Sequence, residues 1–227
     1  MPASRFRAVL FDLDGTLLDT VPDLAFCSNG MLRELGLPEL DEASIASFVG
    51  RGIAVLVERC LRAGGRTVPT IAEADSARMI FERWYGRESG RRSRPYTGVE
   101  RALRMLSDAG VPMGVVTNKA ARFTVDLVRI MGWESYFGVV VSGDTLTVRK
   151  PDPAPVLHAC DRLGVAPGDT LMIGDSRHDV EAAVRAGCTA WCVPYGYNEG
   201  ESVDGLACER IVPDLEVAAR LVLTGRS

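Results

Sequence analysis

The sequence predicts an α/β fold, a doubly wound Rossmann-like parallel sheet core with an inserted α-helical cap domain. Three observations carry the prediction. Five short runs, 8–11, 113–117, 139–142, 170–174 and 190–193, are rich in β-branched residues and apolar throughout, as strands covered on both faces are. Helix-like segments alternate with them from residue 100 onward, the signature of parallel strands joined by helical crossovers. The stretch 12–112, between the first two runs, holds no convincing strand and reads as an inserted helical unit.

In chain order, the first strand is 8–11. The insert follows, with helices expected at 24–35, 43–48, 53–63 and 72–87 and a return through the turn-rich segment 90–98. Core helices are expected at 100–108, 123–131, 154–163 and 180–186, with glycine stops at Gly110, Gly132, Gly164 and Gly187. The expected division is 1–19 with 96–227 as the core and 20–95 as the cap.

Hydrophobic residues make up 47% of the chain and charged residues 25%, an ordinary globular composition. A net charge of −4 gives no general attraction to nucleic acid or to an anionic membrane. No run of about 18 apolar residues is present, and residues 1–7 lack the apolar stretch of a leader. The expected location is the cytoplasm. There the six scattered cysteines would be reduced, structural thiols.

Ligands of an open parallel sheet sit beyond the carboxyl ends of its strands. The first of those ends carries Asp12-Leu13-Asp14-Gly15-Thr16, the second Thr117-Asn118 and the fourth Gly174-Asp175, with Asp179 soon after and Lys150 in the loop beyond the third. Converging carboxylates, an amine and a hydroxyl suit phosphoryl transfer, in which fixed cations must offset the repulsion between a nucleophilic carboxylate and a phosphate dianion. Oxygen-only donors select a hard ion, and magnesium suits Asp12 and Asp175. Asp12 and Asp14 share one side of an extended segment, so one can attack while the other handles protons. Asp19, Asp23 and Asp152 are expected to be helix caps or solvated loop residues.

The segments Phe11 to Thr16, Thr117-Asn118, Lys150-Pro151 and Gly174-Asp175 with Asp179 resemble the four motifs of the haloacid dehalogenase superfamily, in order and over nearly the whole chain. Val49-Gly50-Arg51-Gly52, Thr117-Asn118-Lys119, Ser142-Gly143-Asp144 and Tyr195-Gly196-Tyr197-Asn198 resemble the phosphoglycolate phosphatases within it. Two departures are Thr97, where that family commonly has proline, and His178, where asparagine is usual.

The resemblance implies a magnesium-dependent phosphatase for a small phosphate ester, with 2-phosphoglycolate the first expectation. Asp12 would attack phosphorus. Asp14 would protonate the leaving alkoxide and later take a proton from water, and its presence argues against carbon–halogen chemistry. Thr117, Asn118 and Lys150 would hold the phosphoryl oxygens. Asp12, Asp14 and Asp175 would serve the metal, Asp179 would orient Lys150 or a metal-bound water, and Arg51 at a helix start would meet the substrate carboxylate. The alternatives are a sugar-phosphate phosphatase or phosphosugar mutase of the same superfamily and, from another class, a signalling module phosphorylated on aspartate.

Overall fold

The computed structural model describes residues 5–225; residues 1–4, part of the segment read as lacking a leader, lie outside them. Strands β1 (Ala8–Phe11), β4 (Met113–Val116), β5 (Phe137–Val141), β6 (Thr170–Gly174), β7 (Thr189–Cys192) and β8 (Arg210–Ile211) form one sheet in the order β5-β4-β1-β6-β7-β8. Every adjacent pair is parallel. The order places β1 between β4 and β6, the three strands whose ends carry the motif acids and threonine.

The apolar runs exist because both faces of the sheet are covered. Val9 and Phe11 face one buried cluster, with Leu103, Leu127 and Ile173, while Leu10 faces another, with Val116, Val156 and Met172. Alternate side chains of one strand therefore both need apolar neighbours. Helices α5 (Val99–Asp108), α6 (Ala121–Ile130), α7 (Ala154–Leu163), α8 (Arg177–Ala186) and α9 (Leu215–Thr224) supply them. Helix α8 starts earlier than its apolar pattern, because Ser176 and Asp179 form a reciprocal capping box ahead of it. Strand β8 and helix α9 extend the fold beyond the five expected runs.

The insert holds α1 (Val21–Glu34), α2 (Glu42–Ala46), α3 (Ile53–Ala63) and α4 (Ile71–Glu88). They pack around their own cluster, including Leu24, Met31, Leu56, Phe81 and Tyr85, which also takes in Phe123 of α6. The chain passes between insert and sheet through two strands of two residues each, β2 (Leu18–Asp19) and β3 (Arg94–Pro95), which pair antiparallel.

Asp23 fastens this crossing and is neither a cap nor solvated. Fully buried, its carboxylate accepts from the backbone N–H groups of Gly90, Arg92 and Ser93 and from the Ser93 hydroxyl. A second bridge runs through Glu199. It accepts from Arg59 of α3 at 2.5 Å and faces His178 Nε2 at 3.3 Å. Burial works against its charge, but Arg59 and then His178 hold its carboxyl below the ordinary range.

Candidate active site

Beyond the ends of β1 and β6 the chain places Asp12, Asp175 and Asp179 so that one oxygen of each lies within 4.8 Å of the others. Glycines make this approach possible. A Cβ on Gly15 would lie 2.4 Å from the Asp175 carboxylate, and one on Gly196 would lie 2.1 Å from its Cβ; neither distance is sterically allowed. Asp175 accepts from the Thr16 hydroxyl at 2.9 Å and from Tyr197 N–H at 2.7 Å. Burial, followed by the neighbouring Asp179, pushes its carboxyl up to about 7. Asp12 is pushed well above the ordinary carboxyl range by burial, against the lowering influence of Lys150.

Lys150 is buried and spends its ammonium protons on Val116 O at 2.6 Å, Asp179 Oδ1 at 2.5 Å and Asp12 Oδ1 at 3.1 Å. Burial opposes its charge, yet Asp12 and Asp179 outweigh burial and raise the ammonium's pKa. Both Asp179 oxygens are engaged, the second by the N–H and hydroxyl of Ser176. Asp12 uses Oδ1 for Leu13 N–H as well as for Lys150, which leaves Oδ2 for chemistry.

Asp14 stands in a different environment. Its carboxylate accepts from the Thr20 hydroxyl at 2.8 Å and from Lys119 Nζ at 3.0 Å on both oxygens. Its side chain is thus outside the acidic cluster, where Asp179 takes the third place. Lys119 is buried, with its Nζ 4.8 Å from the ring centre of Tyr85 on α4. Burial works against its charge, but Asp14 raises its pKa above lysine's ordinary value.

The sequence places Lys119 directly after Thr117-Asn118, yet the expected site set leaves it out. Its signal was of the kind that singled out Lys150, an amine in a loop beyond a strand end.

Thr117 lies at the end of β4, its N–H donating to Val141 O at 2.9 Å. Asn118 donates its side-chain amide to Gly50 O and Lys150 O, both at 3.0 Å, so it ties the insert to the core. Between insert and core is a cavity of about 40 Å³, lined by Asp12, Asp14, Thr117 and Lys119 on the core side and by Leu24, Val49, Gly50, Ile53 and Leu56 on the other. Gly50 and Gly52 line it; Arg51 between them is exposed and does not.

The residues fit a hard divalent cation. All donors are oxygens. Four carboxylates (Asp12, Asp14, Asp175, Asp179) face two ammonium groups (Lys119, Lys150), and full ionisation would leave a surplus of two negative charges, the charge such an ion cancels.

The chain is similar to known proteins over most of its length. Residues 9–193 match the family model of haloacid dehalogenase-like hydrolases. The chain is 46% identical over 216 residues to a phosphoglycolate phosphatase of Nitrosospira multiformis, covering 95% of each protein. It is 44% identical to one of Thiobacillus denitrificans, again covering 95% of each. Among solved structures it superposes on a predicted phosphoglycolate phosphatase of Haemophilus somnus 129pt with a TM-score of 0.91 and 30% identity, covering 96% of this chain and 98% of that one.

Proposed function

The chain belongs to the haloacid dehalogenase-like hydrolases, and from that premise we propose that it hydrolyses 2-phosphoglycolate to glycolate and phosphate through a phospho-aspartate on Asp12. It is a phosphoric monoester hydrolase; the substrate, the intermediate and the metal are the proposal. One observation carries it. Two carboxylates only two residues apart are held by two different lysines, Asp12 by Lys150 and Asp14 by Lys119, and such divided environments separate a nucleophile from a proton carrier.

Asp12 Oδ2 attacks phosphorus, and the phosphorus–oxygen bond to glycolate breaks. Asp14 gives a proton to the departing alkoxide. A water then attacks the phospho-aspartate and loses its proton to Asp14, releasing phosphate and restoring both carboxyl groups. Lys150, whose protons go to Val116 O, Asp179 and Asp12, supplies positive charge beside the phosphoryl group, Thr117 holds an equatorial oxygen, Asn118 fixes the loop that presents it, and Asp179 keeps Lys150 in position. Asp12 and Asp175 would hold magnesium, which would supply charge neutralisation at the phosphoryl group.

The ester must reach a cavity of about 40 Å³ that lies between insert and core. The proposal therefore assigns 20–95 to a cap that swings on β2 and β3 against a core of 1–19 and 96–227, admitting substrate when open and excluding water when closed. Apolar Leu24, Val49, Ile53 and Leu56 on the cap side offer the hydroxyls of a sugar no hydrogen-bond partners. The reaction is placed in the cytoplasm, which suits six free cysteines.

The test is phosphate release from a panel of phosphorylated metabolites compared by kcat/KM. 2-Phosphoglycolate ranks first on this reading; a sugar phosphate ranking first replaces it.

A further inference from the structure

The phosphoryl machinery leaves open how the rest of the substrate is recognised, and the ester itself limits where that recognition can occur. In 2-phosphoglycolate a single methylene separates the bridging oxygen from the carboxylate. Whatever protonates the bridging oxygen must therefore sit beside whatever pairs with the carboxylate. Asp14 has the first role in the proposed mechanism, and Lys119 Nζ lies 3.0 Å from both of its oxygens.

Lys119 is also the one cation among the described residues lining the cavity. The protons of Lys150 are taken by Val116 O, Asp179 and Asp12 on the phosphoryl side, and Arg51 stands exposed outside. An ammonium group has three donors. Asp14 occupies two of those on Lys119, and the third lies beside the Tyr85 side chain. The opposite wall, Leu24, Val49, Ile53 and Leu56, offers no competing charge, so an anion brought there has Lys119 as its partner. The Tyr85 ring beside the ammonium fixes its place without neutralising it.

We infer that Lys119 is the specificity residue of this site, pairing with the carboxylate of the substrate while it holds Asp14 beside the ester oxygen. The inference rests on the phosphoglycolate reading. It explains how the cap side can be apolar while the substrate carries charge at both ends: the core supplies both cations, Lys150 for the phosphoryl group and Lys119 for the acid.

The test compares 2-phosphoglycolate with its uncharged amide, 2-phosphoglycolamide, in the wild type, Lys119→Met and Lys119→Arg, all with magnesium. Wild type favours the acid in kcat/KM by about tenfold or more, the worth of one charge-assisted hydrogen bond. In Lys119→Met the preference falls to about unity, and Lys119→Arg restores part of it. An equal fall for both esters overturns the inference, because a residue that only positions Asp14 does not discriminate between them.

Product inhibition of the unaltered enzyme gives a second reading should the variants misfold. Glycolate inhibits and glycolamide does not; equal inhibition by the two overturns the inference. If another anionic ester outranks phosphoglycolate in wild type and its advantage over its neutral analogue disappears in Lys119→Met, Lys119 keeps this role and the substrate assignment falls. A wild type with no preference for anionic esters contradicts both.

Discussion

Asp14 and Asp175 show how much a carboxyl group owes to its immediate partners. Replacing Asp14 by Asn removes the proton donor and acceptor while keeping a side chain of the same size. An alkyl phosphate should lose about 10²–10⁴-fold in kcat, and an aryl phosphate, whose leaving group needs little protonation, much less. Equal losses on the two esters would contradict the acid/base role. Asp175 makes a prediction about pH. With its carboxyl raised to about 7, the folded metal-free protein keeps a proton that the unfolded chain releases above about 3.9. The associated stability is present in full below that value and is lost as pH climbs through about 7. Magnesium needs the carboxylate, so the rise in Tm on adding magnesium should be larger at about pH 8 than at about pH 5. A larger rise at the lower pH would contradict the assignment of Asp175 to the metal.

Asp23 sets the prediction for the crossing between insert and sheet. Three backbone N–H groups and one hydroxyl converge on this fully buried carboxylate. Asp23→Ala leaves them without an acceptor and should cost about 3–5 kcal/mol, measured by denaturant unfolding; a loss below about 1 kcal/mol would show that water replaces it. The sequence-based expectation of a cap or solvated residue failed here because its partners lie about seventy residues away at the far crossing. The apolar strands β1, β4 and β6 were legible because each is buried along its whole length and so carries no alternation. Strands β2 and β3 were not, since two residues show no period, and β8 was equally short. Among the site residues, Asp12, Asp14, Asp175 and Lys150 could be read from their places at strand ends. The attachment of Lys119 to Asp14, and of Asn118 to Gly50, depends on how loops meet across the sheet.

At the scale of the molecule, the sheet presents the acids and lysines beyond its strand ends, and apolar side chains of the helical insert line the far side of the cavity. Exhaustive chelation should abolish turnover, magnesium should restore it, and calcium, which prefers more ligands at longer distances, should restore it poorly; full activity after chelation would contradict the metal reading. Among the described residues no helix is long and apolar enough to cross a membrane, and none of the proposed chemistry needs one. The central claim is that Asp12 carries the phosphoryl group, and its most direct test is rapid acid quenching during turnover of 2-phosphoglycolate, with the modified residue located by fragment mass spectrometry. One phosphoryl group should appear on Asp12, forming and decaying fast enough to sustain steady-state turnover, with neither adduct nor turnover in Asp12→Asn. A phosphoryl group on another residue, or steady phosphate release by Asp12→Asn, would contradict that claim.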